Sequence, residues 1–270
     1  MPYYHKSLLV CQKGSNFASD FRNPLSIGVS KIYIWIKRKV DNMKLVALGD
    51  SIMKGVLLRS QGERCHYSLA DKSIVECCAE KLGGECLNLG KMGCTIEAGE
   101  RILNRYLDKC SEAQYVLLEY GGNDSDYNWQ EIAESPEKEH FPRTRLEVFE
   151  QVYERVINKI KAMGAIPLVL SLPPMDAERY FAFFSQKWEE GFRANVMRWL
   201  GGSTNTIMSG HELYNLATMR VAQRTGAQWI DVTSELLKEH NFRAYLCDDG
   251  IHPNEQGQRK MAEVILAAMK

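Results

Sequence analysis

The chain has 270 residues, 45% apolar and 25% charged, which is enough hydrophobic material for a sizeable core and unlike a disordered or fibrous sequence. Lysine plus arginine and aspartate plus glutamate balance at 34 each. No net field draws the chain to phosphate backbones or anionic membranes, so neither a nucleic-acid partner nor membrane insertion is expected.

Residues 1–42 read differently from the rest. Gly14, Asn16, Asn23 and Pro24 interrupt any pattern, and the apolar run 32–36 is too short to span a bilayer. Lys37-Arg38-Lys39 follows that run, the reverse of a secretory signal. An N-terminal extension of low intrinsic order is expected, ahead of one domain over 43–270.

From Met43 onward, apolar runs alternate with helical periodicity, the signature of βαβ units and a parallel sheet covered on both faces. Strands are predicted over 44–49, 86–89, 114–120, 166–172 and 228–232, with helices over 68–82, 96–107, 146–163, 211–224 and 255–269. Gly83, Gly164 and Gly226 stand where left-handed C-caps belong. Two insertions, near 125–145 and 175–209, follow strands and fall on the edge where open sheets collect ligands. The first is polar. The second carries Tyr180, Phe181, Phe183, Phe184, Trp188, Phe192 and Trp199, which can complete a core, wall a substrate, or both.

Four stretches place chemically capable groups at strand ends. Ser51, in Gly49-Asp50-Ser51, follows the first strand, where a hydroxyl emerges at the sheet's carboxyl edge. A serine hydroxyl needs an adjacent base, and the base needs a partner fixing its tautomer. His252 and Asp249 supply both from one short loop, with Asp248 as an alternative orienting acid. The backbone N–H of Ser51, Gly93 after the second strand, and the Asn123 amide in Gly121-Gly122-Asn123-Asp124 are three candidate donors to a developing oxyanion. Taken singly, Gly93 and Asn123 read as turn residues.

The eight cysteines contain no C-x-x-C pair, which argues against a zinc or disulfide framework and for free thiols in a reducing, cytoplasmic setting. Cys94 adjoins Gly93 and is expected to be a passive buried thiol. A metal cluster of Asp248, Asp249, His252 and His240 lacks any recognised ligand spacing.

The four blocks resemble those of the GDSL or SGNH hydrolases, named for their Ser, Gly, Asn and His, and the similarity runs from about Met43 to the C-terminus. The resemblance implies a flavodoxin-like three-layer α/β/α fold with a five-stranded parallel sheet. It also implies a Ser51, His252, Asp249 triad and an oxyanion hole from Ser51, Gly93 and Asn123, supported by Asp50, Gly122 and Asp124, with no metal or cofactor. The activity expected is carboxylic ester hydrolysis through an acyl-serine, leaning to short O-acetyl esters on a small-molecule or glycan substrate. Lysophospholipase and thioesterase activities are alternatives within the family. A non-catalytic binding module on the same fold is the alternative from another class.

Overall fold

Short hydrophobic runs bounded by turns satisfy their backbone N–H and C=O groups in a core by pairing with one another. The computed structural model describes residues 43–61 and 64–269. The expected 1–42 extension lies outside the described residues. Strand β1 (Lys44–Gly49) is followed by a hairpin of β2 (Val56–Gln61) and β3 (Arg64–Leu69), then by β4 (Glu85–Asn88), β5 (Tyr115–Glu119), β6 (Ile166–Leu170) and β7 (Gln228–Ile230). All but the hairpin join one parallel sheet in the order β4-β1-β5-β6-β7. Counting sheet strands alone, this is the 2-1-3-4-5 order of doubly wound flavodoxin-like folds, as expected.

Alternate residues of the strands feed two separate cores. Val46, Leu48, Val116, Leu118 and Val169 face helices Ile96–Arg105, Leu146–Ala162 and Asn205–Thr225. Leu45, Ala47, Leu117, Leu168 and Leu170 face helices Ile74–Leu82 and Glu255–Ala268. Burial on both faces explains why the strands read as continuous apolar runs. Gly83, Gly164 and Gly226 take the left-handed conformation, with φ of 66°, 84° and 64°.

The predicted helix over 68–82 needs correction, because it starts at Ile74 and Tyr67-Ser68-Leu69 belong to β3. Ser73 sets the start through a capping box, its N–H donating to Glu76 Oε2 at 2.7 Å. The predicted 96–107 helix breaks at Tyr106, and the 211–224 helix begins earlier, at Asn205. Among the described residues, no helix is long and apolar enough to cross a membrane.

Helix Ile96–Arg105 lies close against the sheet because Gly99 faces the Tyr120 ring. A Cβ at Gly99 would sit 2.4 Å from the Tyr120 Oη. Tyr120 is itself fully buried and packs edge-on against Tyr153, ring centroids 6.2 Å apart. Gly99→Ala is therefore expected to cost about 1–3 kcal/mol through overpacking, despite alanine's better helix propensity. The urea midpoint should fall at an unchanged m value.

Candidate active site

The strand order reverses at β1 and β5, so the loops leaving their carboxyl ends diverge and leave a crevice. Gly49 pairs with Glu119 in register, which makes the two loops emerge side by side. Asp50 caps the single helical turn Ser51–Lys54 by accepting from Ile52 N at 2.8 Å, and Gly55 closes that turn. Ser51 is thus the first residue of a capped turn at the crevice, a position that combines a rigid backbone with nearby unsatisfied N–H groups.

His252 is held by a loop folded around Asp249. Asp249 Oδ1 accepts from Ile251 N and His252 N, each at 3.1 Å, and Cys247 N donates to His252 O at 2.8 Å. Asp249 Oδ2 then lies 2.6 Å from His252 Nδ1, and His252 Nε2 lies 2.9 Å from Ser51 Oγ. With Nδ1–H donating to the carboxylate, Nε2 is the nitrogen left to accept the serine proton. Residues 201 positions apart in the chain meet here. Asp248 is not the orienting acid, since its Oδ2 accepts from Ser60 Oγ at 2.8 Å on the β2–β3 hairpin.

Gly93 and Asn123 line the same cavity as Ser51 and His252. Gly93 is required by its φ of 71° and not by crowding, because a Cβ there would meet nothing within 4 Å. In the next loop, the conformational demand falls on Gly121, with φ of 138°, whereas Gly122 opens the helical turn Gly122–Ser125. Asn123 Nδ2 donates to Asp50 Oδ2 at 2.7 Å. That bond uses one of its two amide hydrogens and leaves the other for a ligand.

Asp124 joins the two donor loops. Its carboxyl accepts from Ile96 N at 3.0 and 3.2 Å, at the start of the helix after Gly93. Burial pushes this carboxyl up to about 7. Asn88 has a role that sequence reasoning left unassigned: its side chain donates to Met53 O at 2.7 Å and accepts from Gly90 N at 2.9 Å, tying the serine turn to the glycine loop. Its position at the end of β4 was the available signal. Cys94 is buried, and burial pushes its thiol up to about 11, as a passive role requires.

The hairpin is the second feature that sequence reasoning missed. Leu57 and Leu58 pack with Cys247 and Phe183, and Arg59 pairs with Glu255 at 2.7 Å. Tyr67 thereby reaches over the base, its ring edge-on to His252 with centroids 5.4 Å apart. Burial, and then the nearby Asp249 carboxylate, push the Tyr67 phenol up to about 12.

The cavity holds about 380 Å³, and both insertions wall it. Trp129 from the first stacks on Phe184 from the second, centroids 5.0 Å apart and planes within 11°. Asp126 Oδ1 accepts from Trp129 Nε1 at 2.7 Å and from Tyr180 Oη at 2.9 Å, so one carboxylate fastens the two segments together. Phe181, Trp188 and Phe192 pack in a small core of their own; Tyr180, Phe184 and Trp199 belong to that core and also line the cavity, which Phe183 lines from beside Leu57 and Leu58.

Comparison with known proteins places this geometry in a family. The chain resembles the lipase/acylhydrolase of Enterococcus faecalis in fold, with a TM-score of 0.58 at 16% identity over 84% of this chain and 95% of that one. A mutant of an acetyl-xylooligosaccharide esterase from Geobacillus aligns with a TM-score of 0.57 at 18% identity, over 84% and 94% of the two chains. A curated acetylxylan esterase of Xylanibacter ruminicola is 48% identical over 50 residues, a match spanning 18% of this chain and only 10% of that protein. The family model for the GDSL-like lipase/acylhydrolases matches residues 47–260, a stretch that runs from within β1 past the His252 loop, and the chain therefore belongs to that family.

Proposed function

We propose that the protein is a serine esterase that removes short acyl groups, acetyl foremost, from hydroxyls of carbohydrates. The observation that carries this reading is the hydrogen-bonded chain Asp249, His252, Ser51 opening onto an aromatic-walled cavity. Ser51 Oγ attacks the acyl carbon while its proton passes to His252 Nε2, and Asp249 stabilises the imidazolium that forms. Negative charge then gathers on the former carbonyl oxygen, beside the Ser51 and Gly93 N–H groups and the free Asn123 amide hydrogen. Collapse breaks the ester C–O bond, and His252 returns the proton to the departing alcohol. Water, deprotonated by His252, attacks the acyl-serine and frees the acid.

The carbohydrate leaning rests on the walls. Flat aromatic faces beside fixed polar groups, here Tyr127, Trp129 and Trp199 near Asp126 and Arg143, suit a ring that offers an apolar face and a rim of hydroxyls. The relatives whose names specify an acetylated xylan or xylooligosaccharide support the same choice. The test is a panel of p-nitrophenyl esters of rising chain length, run beside acetylated xylooligosaccharides, a lysophospholipid and an acyl-CoA. We expect kcat/KM to fall by at least about tenfold from acetyl to octanoyl, with acetate released from the oligosaccharide. Rates that rise with chain length would favour a lysophospholipase, a preference for acyl-CoA a thioesterase, and no turnover of any ester a binding module.

A further inference from the structure

One buried polar group has no role in that chemistry. Glu119, the last residue of β5, is fully buried, and neither of its carboxyl oxygens receives a hydrogen bond from an N–H donor. Buried polar groups left without partners are rare enough in native proteins to require a reason. The β1–β5 register sets Gly49 opposite Glu119, which places the Glu119 side chain beside Asp50, itself 2% exposed, close enough for each carboxyl to shift the other's ionisation. Two carboxyls at that range in a low-dielectric interior do not both ionise, so one holds a proton.

The neighbours decide which one. Asp50 Oδ1 accepts from Ile52 N at 2.8 Å and Oδ2 from the Asn123 amide at 2.7 Å, and both bonds favour its anion. Neither carboxyl oxygen of Glu119 has a hydrogen-bond partner of that geometry. Burial, and then the adjacent Asp50 charge, hold its carboxyl well above the usual carboxylate range, and the nearby Asp50 amide offsets only part of this.

We infer that Glu119 is a positioning residue: a neutral carboxylic acid whose O–H donates to Asp50 and fixes that carboxylate where it aims the Asn123 amide and caps the Ser51 turn. Asp50 becomes the junction of three bonds, one to the nucleophile's turn, one to the oxyanion donor and one to the floor of the sheet. This role presupposes the acyl-serine reading, because the aim of Asn123 matters only where an oxyanion forms.

The experiment compares Glu119→Leu, Glu119→Gln, Asn123→Ala and the Glu119→Leu/Asn123→Ala pair, with p-nitrophenyl acetate as substrate and each variant's thermal unfolding recorded. Glu119→Leu removes the donor, so kcat should fall roughly 10- to 100-fold with KM little changed, since the lost interaction acts in the transition state. Glu119→Gln keeps an N–H donor without an ionisable proton and should restore kcat to within about fivefold of wild type. The pair should lose little more than Asn123→Ala alone, because Glu119 acts through Asn123. Losses that multiply in the pair, a Glu119→Gln as impaired as Glu119→Leu, or a Glu119→Leu with wild-type kcat would each overturn the role. Should Glu119→Leu fail to fold, Glu119→Gln alone decides, and a loss as large as that of Asn123→Ala overturns it. Ser51→Ala, assayed in parallel, separates the two levels. Activity retained there removes the acyl-serine reading itself, whereas an inactive Ser51→Ala beside a normal Glu119→Leu removes only the Glu119 role.

Discussion

Replacing Ser51 with alanine is expected to lower kcat for p-nitrophenyl acetate on the order of 10⁶-fold, with His252→Ala costing about as much. A serine hydroxyl is a weak nucleophile near neutral pH, and its only route to reactivity is transfer of its proton as the bond forms. Nε2 of His252 stands 2.9 Å from that oxygen, inside the range in which such a transfer is concerted with attack. The two groups act as one unit, so the double variant should be no slower than either single one. Both substitutions shorten side chains at the cavity surface, and circular dichroism should show an unchanged fold. Turnover within tenfold of wild type in either variant would remove that residue from the reaction.

Asp249→Asn should lower kcat by about 10⁴-fold. The substitution is nearly isosteric, and the Asn carbonyl can keep the bonds that Asp249 Oδ1 accepts from Ile251 N and His252 N. The loop therefore survives. What changes is the contact at 2.6 Å with His252 Nδ1, where an amide N–H now favours the tautomer that puts the ring proton on Nε2. A protonated Nε2 has no lone pair for the Ser51 proton. Nitrogen-15 NMR of the imidazole should report this switch of tautomer alongside the rate. Asp248→Asn is the matched comparison: its carboxylate bonds Ser60 on the hairpin, and its kcat should stay near that of wild type. If Asp248→Asn were the slower of the two, the orienting acid would be misassigned.

The sheet and the candidate site were legible in the sequence for related reasons. Strands covered on both faces, such as Leu45 to Leu48 and Val116 to Leu118, leave uninterrupted apolar runs that no surface element would tolerate. Asp249 and His252 lie three positions apart, so their pairing is local and survives ignorance of the tertiary fold. The hairpin was not legible. Val56, Leu57 and Leu58 form a contiguous buried run without alternation, and β3 is mostly exposed. Its conformation is fixed by distant contacts, such as Ser60 with Asp248, 188 residues away. The Asp50–Glu119 pair was hidden for the same reason, since it exists only once the register of β1 against β5 is known. The aromatic insertion was open to two readings because burial in a small core and exposure to a cavity both select the same residue types.

Asp126 binds Trp129 and Tyr180 to each other and pairs with Arg143 at 3.2 Å, and Asp176 N at the start of the second insertion donates to Gly250 O at 2.8 Å, so that wall is tied both to its neighbour and to the loop that holds His252. A change in the second insertion is thereby transmitted to the His252 loop as well as to the shape of the cavity. Segments grafted here from a protein that shares this sheet should accordingly carry their partners to Gly250 with them if the position of His252 is to be kept.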